Sequence, residues 1–205
     1  EGMKTLENIA KEKQQIYQAS PQSKKIFNLD NTYTSKMYQD FKEDGSVTFS
    51  IQQKDADLFF QANYKDETLQ IRGHIGSVEG VASVAVFGEH NLFNLLAASA
   101  CAYRMGMPAE NIWQALAKCH TIWGRNQWVR LNKQTKVLFD AYNANPESMG
   151  VFLKNTAQME CVGKKYLVIG DMRELGSFND SEHEALAKSV SEQAWQKVYF
   201  IGNNS

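Results

Sequence analysis

Stretches with apolar residues at helical spacing and short apolar runs succeed one another along the chain, and together they predict an α/β protein. Residues 5–19 predict a helix with Leu6, Ile9, Ala10, Ile16 and Tyr17 on one face. A short strand at 24–30 and a weak helix to about Phe41 follow. Runs at 47–51, 58–64 and 68–72, each bounded by Gly or Asp, predict strands. A further apolar run at 81–87 leads into a turn at Gly88. Antiparallel strands between parallel units imply a mixed sheet. Residues 89–105 predict a strong helix with Leu92, Leu95, Leu96 and Ser99 inward and Gly106 as its stop. Residues 108–118 predict another, with Ile112, Ala115, Leu116 and Cys119 inward.

From 127 onward strands at 127–131, 135–139, 165–169 and 197–201 are interleaved with helices at 147–160 and 181–194. Met149, Phe152, Leu153, Thr156 and Ala157 mark the first of these helices, and Ser181 with Glu184 reads as a capping box for the second. This alternation predicts a small doubly wound, Rossmann-like domain, its ligand edge outside the carboxyl ends of the strands. The stretch 120–125 leaves the helical pattern, so the expected domains are 1–123 and 124–205.

Composition narrows the class. The 205 residues suffice for one large domain or two small ones, and the formal charge of −1 gives no electrostatic footprint for nucleic acid or an acidic membrane. No apolar run approaches the roughly 18–20 residues of a spanning helix, and no signal peptide opens the chain. Cys101, Cys119 and Cys161 show no CxxC spacing and read as reduced thiols of a cytoplasmic protein.

Candidate chemistry gathers in the stretch Leu138-Phe139-Asp140-Ala141-Tyr142-Asn143-Ala144-Asn145-Pro146-Glu147-Ser148-Met149. It runs from strand through a short polar loop into a helix, with Asn145 as N-cap, Pro146 in the first turn and Glu147 at the positive end of the dipole. That order makes a ligand-binding corner; an ordinary Asx-rich turn is the plainer alternative. Asn91 and Asn94 lie three apart near a helix start, where they either meet a ligand or serve as cap and exposed surface. His90 reads as structural, and Asp30 as a strand-ending turn. Lys13 falls on the face of Ile9 and Ile16, where a lysine snorkels. Arg125 reads as a surface ion pair or as a phosphate-binding fork.

The 138–149 stretch resembles the signature loop of the Mur ligases, in the branch that adds D-Ala-D-Ala. Gly88-Glu89-His90-Asn91-Leu92-Phe93-Asn94, Gly124-Arg125 and Val168-Ile169-Gly170-Asp171-Met172-Arg173-Glu174-Leu175-Gly176 agree in the family's order. So do Glu1-Gly2-Met3 and Ile9-Ala10-Lys11-Glu12-Lys13-Gln14-Gln15-Ile16-Tyr17, although the family has Gly-Glu where Gln14-Gln15 stand. The resemblance implies an ATP- and Mg2+-dependent ligase joining D-Ala-D-Ala to a UDP-N-acetylmuramoyl tripeptide through an acyl phosphate. It implies adenine contacts from Asn91 and Asn94, ribose contacts from Asp140 and phosphate contacts from Arg125. It further implies a carbamylated Lys13 on magnesium, and closing loops carrying Tyr142, Asn143, Asn145, Asp171 and Glu174. A sister ligase, a folylpolyglutamate synthase or a non-catalytic nucleotide- or partner-binding module are the alternatives. No G-x-x-x-x-G-K-[ST] loop occurs; Gly163-Lys164-Lys165 lacks its spacing and hydroxyl. The chain is therefore expected to be the second half of an ATP-binding domain plus most of a C-terminal domain, monomeric and inactive by itself.

Overall fold

The chain divides into two units, Glu1–Ile122 and Trp123–Ser205, and the computed structural model describes residues 5–65, 67–88 and 90–202. Glu1, Gly2 and Met3 of the family-like motif lie outside the described residues, as does Glu89 at the expected start of a helix.

The first unit is built on one five-stranded sheet in chain order. Its strands are β1 (Ile26–Asn28), β2 (Val47–Ser50), β3 (Leu58–Lys65), β4 (Thr68–Ile75) and β5 (Val78–Val84). β1–β2 and β2–β3 are parallel, and β3–β4 and β4–β5 are antiparallel, which makes the mixed sheet expected from the pattern. Helices α3 (His90–Arg104) and α4 (Ala109–Leu116) pack on it. Phe60, Leu69, Ile75 and Val84 from the sheet and Leu96 and Ala100 from α3 form its closed centre. Leu92, Leu95, Leu96 and Ser99 face inward as their spacing predicts.

Polar side chains fix the ends of the parallel strands. Asp30 accepts from Ser50 Oγ and, at 2.8 Å, from the Ile51 N–H. Asp57 Oδ2 accepts from the Thr48 N–H at 2.8 Å and from its hydroxyl at 2.7 Å. These carboxylates join neighbouring strand ends, so the strand-ending reading of Asp30 holds. Lys25, only 6% exposed, sets its ammonium 2.6 Å from Glu43 Oε2 and 3.2 Å from the Pro21 carbonyl. A buried cation without such partners would be strongly destabilising.

Some expectations need correction. Helix α1 (Leu6–Ala19) forms with Thr5 as N-cap, but Leu6, Ile9 and Ile16 are exposed. Its half-buried row is Ala10, Gln14 and Tyr17. The Tyr17 ring decides this, stacking on Phe27 at 5.0 Å and on Phe41 of α2 (Thr32–Phe41) at 5.6 Å. Burial also pushes the Tyr17 hydroxyl up from its ordinary pKa. On α4 the inward face is Ala109, Ile112, Trp113 and Leu116, and Ala115 points outward. Trp113 takes the inward position because its indole lies against Gly80 of β5. The last strand occupies Val78–Val84 in place of 81–87, and Val81 is exposed.

In the second unit β6 (Gln127–Arg130) and β7 (Lys136–Phe139) form an antiparallel hairpin. Helix α5 (Pro146–Gln158) follows, and β8 (Tyr166–Gly170) pairs in parallel with β9 (Lys197–Ile201) across helix α6 (Asn179–Ser191). The β8–α6–β9 crossover is the α/β unit that the alternation predicts. Leu153, Leu167, Ile169, Met172, Leu186 and Val190 make its core. The capping box expected at Ser181 is absent. A 3₁₀ turn, Gly176–Phe178, runs directly into α6 at Asn179, so Ser181 lies inside the helix and its hydroxyl donates to the Phe178 carbonyl at 3.0 Å. No described helix is long and apolar enough to cross a membrane.

The Gly80–Trp113 contact is testable. A Cβ at residue 80 would overlap the indole, so Gly80→Ala should lose about 1–3 kcal/mol in urea unfolding. Combining it with Trp113→Phe should lose less than the sum of the single changes, because the clash and its partner go together.

Candidate functional site

The second unit opens on a tight turn over the end of β7. Gly124 is buried at φ +77, a left-handed conformation that suits glycine. Its carbonyl accepts from the Tyr142 N–H at 3.0 Å, and a Cβ here would stand 3.4 Å from that nitrogen. Asn126 takes φ +46, which Asn tolerates better than most residues. Its N–H donates to Asp140 Oδ1 at 3.1 Å. Between them Arg125 is exposed, with its guanidinium carbon 4.2 Å from the centre of the Tyr142 ring. A planar cation stacks well on such a face. Trp123 closes the turn, its ring 5.2 Å from that of Phe139. Arg125, Asp140 and Tyr142 are thus brought together, while Asp140 Oδ2 takes no hydrogen bond among the described residues.

The loop then enters α5 through Asn145. Asn145 Oδ1 accepts from the Ser148 N–H at 2.8 Å, and Ser148 Oγ accepts from the Asn145 N–H at 3.2 Å, a reciprocal capping box. Asn145 is therefore the N-cap that its place before Pro146 predicts. Asn143 and Tyr142 remain exposed. At the end of β8 the half-buried Asp171 lies against Gly202, where a Cβ would run into its carboxylate. Glu174 is exposed at φ +63. Ala144 and Leu175 pack on the same core, so the second unit anchors both loops on one set of side chains.

In the first unit Asn91 and Asn94 form a relay. Asn91 Nδ2 donates to the Phe87 carbonyl at 2.7 Å and lies 3.2 Å from His90 Nε2. Asn94 Nδ2 donates to Asn91 Oδ1 at 3.2 Å. Asn91 thus donates to a carbonyl and does not accept from a helix N–H as a cap would. Asn94 itself is exposed. Lys13 is exposed on α1, and no group of three or more His, Cys, Asp or Glu side chains converges among the described residues.

Comparison with known proteins decides the lineage. The model of the Mur ligase middle domain matches residues 1–102, and that of the Mur ligase glutamate ligase domain matches residues 124–205. The chain belongs to the Mur ligase family. Among similar Mur ligases is the UDP-N-acetylmuramoyl-tripeptide–D-alanyl-D-alanine ligase of Buchnera aphidicola subsp. Acyrthosiphon pisum, 30% identical over 211 residues. That alignment covers 100% of this chain and 45% of the relative, so the chain spans about half the length of the curated relatives it matches. A crystal structure of MurF from Acinetobacter baumannii superposes with a TM-score of 0.83 at 25% identity, covering 97% of this chain and 42% of that one. A Thermotoga maritima MurF ligase solved in complex with ADP shares the fold at a TM-score of 0.77 and 21% identity, over 98% and 45% of the two chains.

Within this Mur ligase chain, two residues that build the site had no motif to announce them. Asn126 lies beside Gly124-Arg125, and His183 lies on α6, just past the loop whose Met172 N–H it meets. The Gly124-x-Asn126 pair of left-handed formers was the signal available for the first.

Asn145 can be separated into cap and contact. Asn145→Ala should lose about 0.5–2 kcal/mol in thermal or urea unfolding, whereas Asn145→Asp keeps the cap and should lose little. Equal stability of Ala and wild type would remove the capping role.

Proposed function

We propose that the chain is the nucleotide-facing part of a MurF-type ligase, which joins D-Ala-D-Ala to a UDP-N-acetylmuramoyl tripeptide with ATP. The observation that carries this reading is the turn in which Gly124–Asn126 folds onto Asp140 and Tyr142. It prepares a cation and a carboxylate, side by side, at the carboxyl end of a strand. Such edges hold ligands in open α/β sheets. The similarity of both units to D-Ala-D-Ala ligases supplies the chemistry.

In this reading Asp140 accepts the ribose hydroxyls through Oδ2, since Oδ1 is engaged by Asn126. Arg125, held on the Tyr142 ring, places its fork on phosphate oxygens and offsets charge that develops during transfer. Asn94, oriented by Asn91, offers its amide to the edge of adenine. The tripeptide carboxylate attacks the γ-phosphorus, ADP leaves, and an acyl phosphate forms. The amine of D-Ala-D-Ala then attacks the acyl carbon, giving the amide and inorganic phosphate, with the amine proton passing to solvent or phosphate. Tyr142, Asn143, Asn145, Asp171 and Glu174 are the side chains we assign to the loops around the dipeptide. Magnesium belongs to the proposal as the companion of the triphosphate, whose own oxygens are suited to hold it. Lys13, as a carbamate, would add one further oxygen.

The test uses the uninterrupted reading frame. Phosphate release should require ATP, the UDP-muramoyl tripeptide and D-Ala-D-Ala together. Asp140→Asn keeps the acceptor for Asn126 but removes the charge, and should raise KM for ATP roughly 10- to 150-fold, the range for hydrogen bonds to a charged group. Asp140→Ala should add a loss of about 1–3 kcal/mol of stability, because the Asn126 N–H loses its partner. Release indifferent to D-Ala-D-Ala would indicate a sister ligase, and no turnover would leave a nucleotide-binding module.

A further inference from the structure

His183 is the residue on which the Asp171–Leu175 loop depends. Its half-buried imidazole bridges two main-chain groups: the Met172 N–H lies 3.1 Å from Nε2, and the Asn179 carbonyl lies 2.8 Å from Nδ1. The partners fix the tautomer. A main-chain N–H can only donate, so Nε2 must present its lone pair. A carbonyl can only accept, so Nδ1 must carry the proton. The imidazole is therefore neutral when both bonds exist, and a proton on Nε2 would face the Met172 N–H and break one of them.

The Met172 side chain is 1% exposed in the core with Leu167, Ile169 and Leu186, so the loop is anchored there whatever happens to the main chain. What the imidazole controls is the direction in which the chain leaves the core. On one side stands Asp171 against Gly202, and on the other exposed Arg173 and Glu174, the latter in a left-handed conformation. The charged groups on the surrounding elements are Asp171, Arg173 and Glu174 on the loop, Asp180, Glu182, Glu184 and Lys188 on α6, and Glu147 and Lys154 on α5. None is hydrogen-bonded to the imidazole, whose two nitrogens are both taken by main chain.

We infer that His183 is a positioning residue: in its Nδ1–H form it holds the Asp171–Leu175 loop through the Met172 N–H, while the core beneath is anchored independently of it. The bearing of this on catalysis rests on the ligase reading; the behaviour of the loop does not, and the experiment reads the loop directly.

The test is 15N NMR and amide exchange on the full chain. His183 should show an imine-type Nε2 and a pyrrole-type Nδ1 resonance. The Met172 amide should be protected from exchange. His183→Leu should lower its protection factor roughly tenfold, about what one net hydrogen bond is worth. Leu167 and Ile169 in β8 should stay protected, which separates local release from unfolding. His183→Gln places a neutral amide oxygen near the position of Nε2, and should keep Met172 protected. A pyrrole-type Nε2, unchanged Met172 protection in His183→Leu, or its loss in His183→Gln would each overturn the inference. A ligase assay that fails while these signatures hold would count against the function alone.

Discussion

Asp140 and Asn126 face each other one step beyond the β6–β7 ladder. Gln127 pairs with Phe139 as its last rung, and the next residue on each side supplies the Asp140 carboxylate and the Asn126 N–H. A side chain thus extends the ladder where main chain can no longer do so. The surrounding geometry leans on that substitution. Asn126 is held left-handed, Gly124 bends beneath it, and the Gly124 carbonyl meets the Tyr142 N–H. Arg125, caught between these two fixed residues, lies over the Tyr142 ring. Without the Asp140 acceptor the Asn126 N–H would lack its partner, and the stacking of Arg125 would lose its fixed base.

This arrangement explains how much of the molecule could be read from residues in order. The α5 stripe of Met149, Phe152, Leu153, Thr156 and Ala157 was legible because burial follows helical spacing wherever one apolar face meets one core. Asn145 before Pro146 was legible because capping is local: donor and acceptor lie three residues apart. Ser181 satisfied the same local rule and still failed, since a 3₁₀ turn entering from Gly176 had already begun the helix. Helix α1 failed for a different reason. Its apolar positions describe a stripe, but the stacking of Tyr17 between Phe27 and Phe41 selects the neighbouring row. Two rings contributed from elsewhere in the chain outweigh the spacing of aliphatic side chains within it.

Lys25 shows the same limit in electrostatic form. It stands beside Lys24 at a strand start and is buried on Glu43, eighteen residues away. Which lysine turns inward depends on a carboxylate whose position is known only once α2 has packed. Asp30 was the easier case, because its partners are the end of the adjoining strand, where a carboxylate after β1 meets Ser50 and Ile51.

The two loops of the second unit share a division of labour that bears on how the family signature is interpreted. Their main-chain polar groups are met by Asp140, by Ser148 and by His183. With the backbone satisfied from within, Arg125, Asn143 and Glu174 are left exposed. Asn143 and Asn145 make the distinction within a single motif: one is exposed and uncommitted, the other has its oxygen engaged on a helix N-terminus. A motif is often read as a set of ligand contacts. Here it combines side chains that shape the main chain with side chains that the shaped main chain presents. His183 performs the first task from outside the motif altogether, because a loop can be held by any acceptor that its own backbone can reach.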